Sequence, residues 1–236
     1  MKAVKTLLAA LAFSAVASAA VQTFNTTAGT TIGGLPISAS ATFTPGTNSL
    51  LITLTNLQAN PTSVIQLISD LDFALSNGAT TGTISSSSGQ LVTVNANGTF
   101  ATGATQSTGW GLVSNFNGGI QLNALGFVGP EGFIIGPPGG ATHTNANGSI
   151  AGNDAHNPFI NQTATFNLSI AGVTSSTVIS KVVFSFGTTS GSDVTGCLVG
   201  GPSCNSTVVP EPISSALVGT GLISLFFLRR RASKKA

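Results

Sequence analysis

Charge is what this sequence has least of: Asp, Glu, Lys and Arg make up 6% of its 236 residues. The formal balance of +2 belongs to the two ends, where Lys2, Lys5, Arg229, Arg230, Arg231, Lys234 and Lys235 hold seven of the eight basic residues. Between Ala20 and Val209 only Lys181 is basic. It stands against Asp70, Asp72, Glu131, Asp154 and Asp193, five acids to one base, so that stretch has a net charge of −4. Phosphate recognition needs a clustered basic footprint, so nucleic acid is excluded as a partner. The same scarcity leaves few groups for acid/base chemistry. The nucleophile elbow G-x-S-x-G is missing, as are an EF-hand loop and a Gly-Gly-x-Gly-x-Asp repeat. No amphipathic helix pattern interrupts the middle of the chain.

Long uncharged apolar runs are likewise confined to the ends. Lys2 and Lys5 precede an apolar stretch, Leu7 to Val16, and then the small residues Ala17, Ser18 and Ala19. This is the order of a secretory signal peptide, residues 1–19, and it predicts cleavage after Ala19, with Ala20 as the alternative. Signal peptidase is the implied partner. At the other end, Ile213 to Leu228 is uncharged and mostly apolar. As a helix rising about 1.5 Å per residue it spans roughly 24 Å, slightly less than a hydrocarbon core of about 30 Å. The cations of residues 229–236 follow at once and extend the reach by snorkelling. Arg229, Arg230 and Arg231 act as a stop-transfer signal. The positive-inside rule then places the tail in the cytoplasm and the middle of the chain outside.

Immediately before that span stand Pro210, Glu211 and Pro212. With the short apolar stretch and the Arg-rich end, residues 210–236 resemble the tail of the PEP-CTERM family. The resemblance covers only this last part of the chain. It implies a sorting signal read by exosortase, a membrane-embedded cysteine-type transpeptidase of Gram-negative bacteria, with Pro210, Glu211 and Pro212 recognised and the cut nearby. It also implies a cell-surface or extracellular-matrix protein, held in the membrane before processing and associated with exopolysaccharide or biofilm. Two prolines fix φ and remove backbone donors, which keeps such a motif extended at the membrane face.

Residues 20–196 read as an all-β ectodomain. Ile37, Ala39, Ala41 and Phe43 alternate with Ser38, Ser40, Thr42 and Thr44, the period of a half-buried strand. The period recurs over 69–75, 164–170 and 182–186, with further strands at 51–57, 90–94 and 119–124. Pro45 to Asn48, Ser76 to Gly78 and Asn95 to Gly98 supply turns between them. An antiparallel β-sandwich is the expected architecture, with a jelly roll as one version of it. Residues 197–209 form a cysteine loop and linker. Cys197 and Cys204 enclose six residues there, and a disulfide between them suits an oxidising compartment.

Candidate sites in the ectodomain are few. Gly126 to Pro158 is dense in Gly, Pro and Asn, and reads as a long surface loop crossed by one or two short strands. It holds His143, Asp154 and His156, which could ligate a metal or act as acid and base if they converged. Their spacing fits no defended motif, and surface histidines are the plainer reading. Asp70 and Asp72 suggest paired carboxylates for glycoside hydrolysis. Their i, i+2 spacing puts both on the strand face opposite the apolar one, which predicts a solvated surface, with calcium as the alternative. Trp110, between Gly109 and Gly111, could stack on a sugar if exposed, while a buried place in the core is the commoner fate of such a residue. Six Asn-x-Ser/Thr matches follow from composition and carry little weight. The sequence therefore predicts a structural or adhesive surface protein without catalytic residues, cofactor or metal. A carbohydrate-binding module and a secreted hydrolase using the His143 to His156 loop are the alternatives.

Overall fold

In the computed structural model the described residues are 20–125, 132–144, 146, 148–153, 157–188 and 192–201. The chain divides into two compact units, Met1–Val199 and Gly200–Ala236. Among the described residues there is no α-helix, and no helix is long and apolar enough to cross a membrane. The expected span 213–228 and the rest of the sorting tail lie outside the described residues, as do Ala17, Ala19 and the remainder of the signal segment.

The described strands, in chain order, begin with β1 (Gln22–Asn25), β2 (Thr31–Ile32), β3 (Leu35–Pro36), β4 (Ala39–Gly46) and β5 (Ser49–Asn56). After a 3-10 turn at Val64–Gln66 come β6 (Ile68–Leu75), β7 (Thr83–Val94), β8 (Phe100–Gln106), β9 (Gly111–Phe116) and β10 (Gly119–Asn123). The last five are β11 (Ile134–Ile135), β12 (Phe159–Ser169), β13 (Ile179–Phe186), β14 (Asp193–Thr195) and β15 (Cys197–Leu198). The sheet therefore takes in Cys197 and Leu198, the first two residues of the expected linker.

Thirteen of these strands form one hydrogen-bonded network, while β2 and β3 make a separate ribbon. The network has two wings. One runs β9-β10-β6-β13-β14 and the other β8-β7-β12-β5-β4-β1-β15. Among the described residues the two-residue β11 is the strand that pairs with both, bridging to β6 through Ile134↔Ile68 and to β12 through Ile134↔Ile160. The wings meet through their apolar sides: Phe43 of β4 packs edge-on against Phe73 of β6 with ring centroids 5.3 Å apart. The fold is thus all-β and sandwich-like. One expectation fails, because the sheet is mixed: β11 runs parallel to β12. A parallel pair needs a crossover of a dozen or more residues, and the long connection from Gly136 to Pro158 provides it.

Local sequence explains the wings. In β4, Ala39, Ala41 and Phe43 are buried while Ser40, Thr42 and Thr44 are half-buried, as the alternation requires. Asn48 completes the β4–β5 turn at a φ of 51°, a left-handed value that Asn tolerates. Burying a Phe or Leu side chain contributes about 1.5–3 kcal/mol, and Phe43, Phe73, Phe133, Phe159, Phe166, Phe184 and Phe186 are all fully buried. Part of the Gly126–Pro158 segment also enters this core. Phe133, Ile134, Ile135 and Ile150 are buried, so the described part of that segment is not only a surface loop.

Candidate functional site

The polar feature of greatest interest is a cleft of about 380 Å³ on the outer side of the smaller wing, with Asp70 and Asp72 of β6 in its lining. Register builds it. Asp70 pairs across to Asn123 of β10 on one side and to Ser185 of β13 on the other, and Ser185 pairs in turn to Asp193 of β14. One row over, Asp72 pairs to Gln121 and to Val183. Side chains on adjacent strands at the same register share a face, so Asn123, Asp70, Ser185 and Asp193 form one polar row, and Gln121 and Asp72 begin the next. Leu71, Phe73 and Leu75 of the same strand are buried among the core side chains.

The expectation of a solvated acidic pair is overturned here. Asp70 is only 8% exposed, and Asp72 is partly buried. The physical reason is the position of β6 in the middle of its wing: Leu125 after β10 and Gly187 and Thr188 after β13 line the cleft beside the acids. Burial raises the Asp70 carboxyl to about 6, opposed by the nearby Ser185 hydroxyl and helped by the negative charge of Asp193. Asp72 is raised to about 7, by burial first and then by the charge of Asp70, against a hydrogen bond from Gln121. Oδ1 of Asp70 and Oδ1 of Asp72 are buried without a hydrogen-bond partner. The neighbouring groups are committed to one another: Ser185 Oγ donates to Asp193 Oδ1 at 2.6 Å, and Asn123 Nδ2 donates to Gln121 Oε1 at 3.2 Å. Lys181, exposed on an irregularity of β13, lines an adjoining pocket of about 180 Å³ that shares Asp72.

Of the candidates in the long Gly-rich and Pro-rich segment, only His143 is among the described residues. His143 is 2% exposed, which corrects its reading as a surface histidine. Its ring meets Phe100 edge-on at 5.6 Å, and burial lowers its pKa, which favours the neutral imidazole. Its backbone N–H donates to Gly98 O at 2.9 Å, and a Cβ on Gly98, whose φ is +81°, would collide with the His143 carbonyl. His143 is packed as a clamp on the Asn95–Gly98 turn. Asp154 and His156 lie outside the described residues. No three His, Cys, Asp or Glu side chains among the described residues lie close enough together to hold a metal by themselves.

Trp110 is 5% exposed, packs on Phe166 at 5.3 Å, and donates its indole N–H to Gly132 O at 2.9 Å. The core placement is the one found, and Trp110 offers no platform for a sugar ring. Cys197 is buried in β15, with Sγ 3.3 Å from the Asn25 carbonyl oxygen, and is not a free thiol. Cys204, Pro210, Glu211, Pro212, Arg229, Arg230 and Arg231 lie outside the described residues. Sequence reasoning missed Gln121, Asn123, Ser185 and Asp193 as neighbours of the acidic pair. The expected strands at 119–124 and 182–186 covered Gln121, Asn123 and Ser185 but not Asp193, and the pairing of β6 with both β10 and β13 is not written in any one segment.

Against known protein families, curated proteins and solved structures, this chain has no match.

Proposed function

We propose that this chain is an exported surface or extracellular-matrix protein of a Gram-negative bacterium, structural or adhesive rather than enzymatic, sorted by an exosortase-type tail. The observation that carries the reading is the ordered tail: Pro210, Glu211 and Pro212, then the uncharged run 213–228, then Arg229, Arg230 and Arg231. A signal-peptide-like start supports the same route. The ectodomain, an antiparallel-rich sandwich of jelly-roll type in this reading, suits a passive role. Its β7 and β8 expose mostly Ser, Thr, Gly and Gln, a neutral hydrogen-bonding surface suited to hydrated polysaccharide. Signal peptidase, exosortase and, transiently, the membrane are the partners in export.

Intact-mass analysis of the protein from cells with and without exosortase tests this reading. The expected result is loss of the segment beyond Pro210, Glu211 and Pro212 only where exosortase is present, and retention of a longer membrane species on Glu211→Ala. An extracellular form that still ends at Ala236 in the exosortase-positive strain would make the tail an ordinary anchor and overturn the proposal.

A further inference from the structure

We propose that the cleft lined by Asp70 and Asp72 binds a hard divalent cation of calcium's size through the two carboxylates, with water completing its shell. The inference goes beyond the surface-protein reading and does not depend on it.

Three observations carry it. First, Asp70 is more than nine-tenths buried, lines the cleft, and keeps an oxygen with no hydrogen-bond partner; Asp72 beside it keeps another. A buried carboxylate oxygen left unpaired is costly, and a bound cation is one of the few ways to compensate it. Second, the register places the two acids on one strand face, two residues apart, with an amide opposite each on β10. Third, the described lining residues offer oxygen ligands from carboxylates, amides and hydroxyls, and neither imidazole nor thiolate. Such a donor set suits calcium or magnesium rather than zinc or copper.

Asp193 is engaged by Ser185, which leaves Asp70 and Asp72 as the two carboxylates free to meet the ion. Calcium accepts six to eight oxygens in loose geometry, whereas magnesium demands a near-ideal octahedron. A cleft of about 380 Å³ leaves room for water to complete the larger ion's shell.

Isothermal titration of the full chain, stripped of divalent ions, with calcium chloride is the test. The expected result is saturable binding with a Kd on the order of 0.1–1 mM, the range of extracellular calcium modules, and a Tm raised by a few degrees in 10 mM calcium. Asp72→Asn should weaken binding at least tenfold and abolish the rise in Tm while the ion-free protein stays folded by circular dichroism. Asp70→Asn should do the same, and if it does not fold, Asp72→Asn decides alone. No saturable heat up to 10 mM calcium, or binding that survives Asp72→Asn, would overturn the site. Magnesium binding as tightly as calcium would overturn the assignment of ion size.

Discussion

The carboxamide of Asn56 donates to the Ile134 carbonyl at 2.8 Å, and so ties the end of β5 to β11, the strand that joins the two wings. The same nitrogen donates to Gln66 O at 2.9 Å, while its Oδ1 accepts from Gln58 N at 3.0 Å. Asn56 is 1% exposed, so water cannot replace these bonds. Asn56→Ala would leave two buried carbonyls without this donor. The expected cost is about 2–4 kcal/mol, seen as a fall in Tm on the order of 5–15 °C by circular dichroism. A change under about 0.5 kcal/mol, the scale of an ordinary surface substitution, would show that β11 is held by other means.

Stability should fall as the pH rises through the range in which Asp70 and Asp72 ionise. Their folded-state values, about 6 and about 7, lie above the ordinary 3.8. Between about pH 4 and pH 7 the folded protein therefore holds protons that the unfolded chain has released, and the slope of unfolding free energy against pH is negative. Among the described residues, the charged groups around the pair are Asp193 and, across the adjoining pocket, Lys181. Urea titrations from pH 4 to pH 8 in EDTA should show a loss of order 1–3 kcal/mol after allowance for solvent screening. Asp70→Asn with Asp72→Asn should flatten the profile and raise stability at pH 8. A stability that climbs over that interval would contradict the assignment.

Cys197 is expected to be bonded to Cys204 in an oxidising compartment. The ring would enclose six residues, and β15 anchors one end of it against β1 through Phe24↔Leu198 and Asn25↔Cys197. Closing so short a loop contributes about 2–3 kcal/mol on the chain-entropy account. Thiol labelling without reductant should find neither cysteine reactive, and Cys204→Ser should lower the Tm. Two labelled thiols per chain would refute the pairing.

Much of the fold was legible because most of its strands are buried on one face only. The alternation over 37–44, 69–75 and 182–186 reappears as parts of β4, β6 and β13, and Gly78 and Gly98 sit at the turns that the Asn-Gly pairs announced. β8 was illegible, since Phe100–Gln106 is exposed for nearly its whole length and carries no apolar period. β11 was hidden inside a Gly-rich and Pro-rich run because two residues are too few to show a pattern. The acidic pair was read as solvated for a related reason. Alternation tells which face a side chain is on, but what covers that face depends on the strands and loops beside it. For Asp70 those come from residues some 50 and 115 positions away, at Asn123 and Ser185.

The pairing of β1 with β15 has a consequence in time. Phe24 lies beside Leu198, so the first strand of the domain is completed by the last. β5 waits for β12, and β6 for β13, each more than a hundred residues downstream. A chain that emerges N-terminus first, from a ribosome or through a membrane pore, can close the local β4–β5 hairpin early. It cannot finish either wing until nearly all of its length is free. Such distant pairings are slow to form and leave strand edges open meanwhile. The order of emergence thus keeps the molecule unfolded until its own end arrives, the condition a chain needs if it is to be threaded before it is folded.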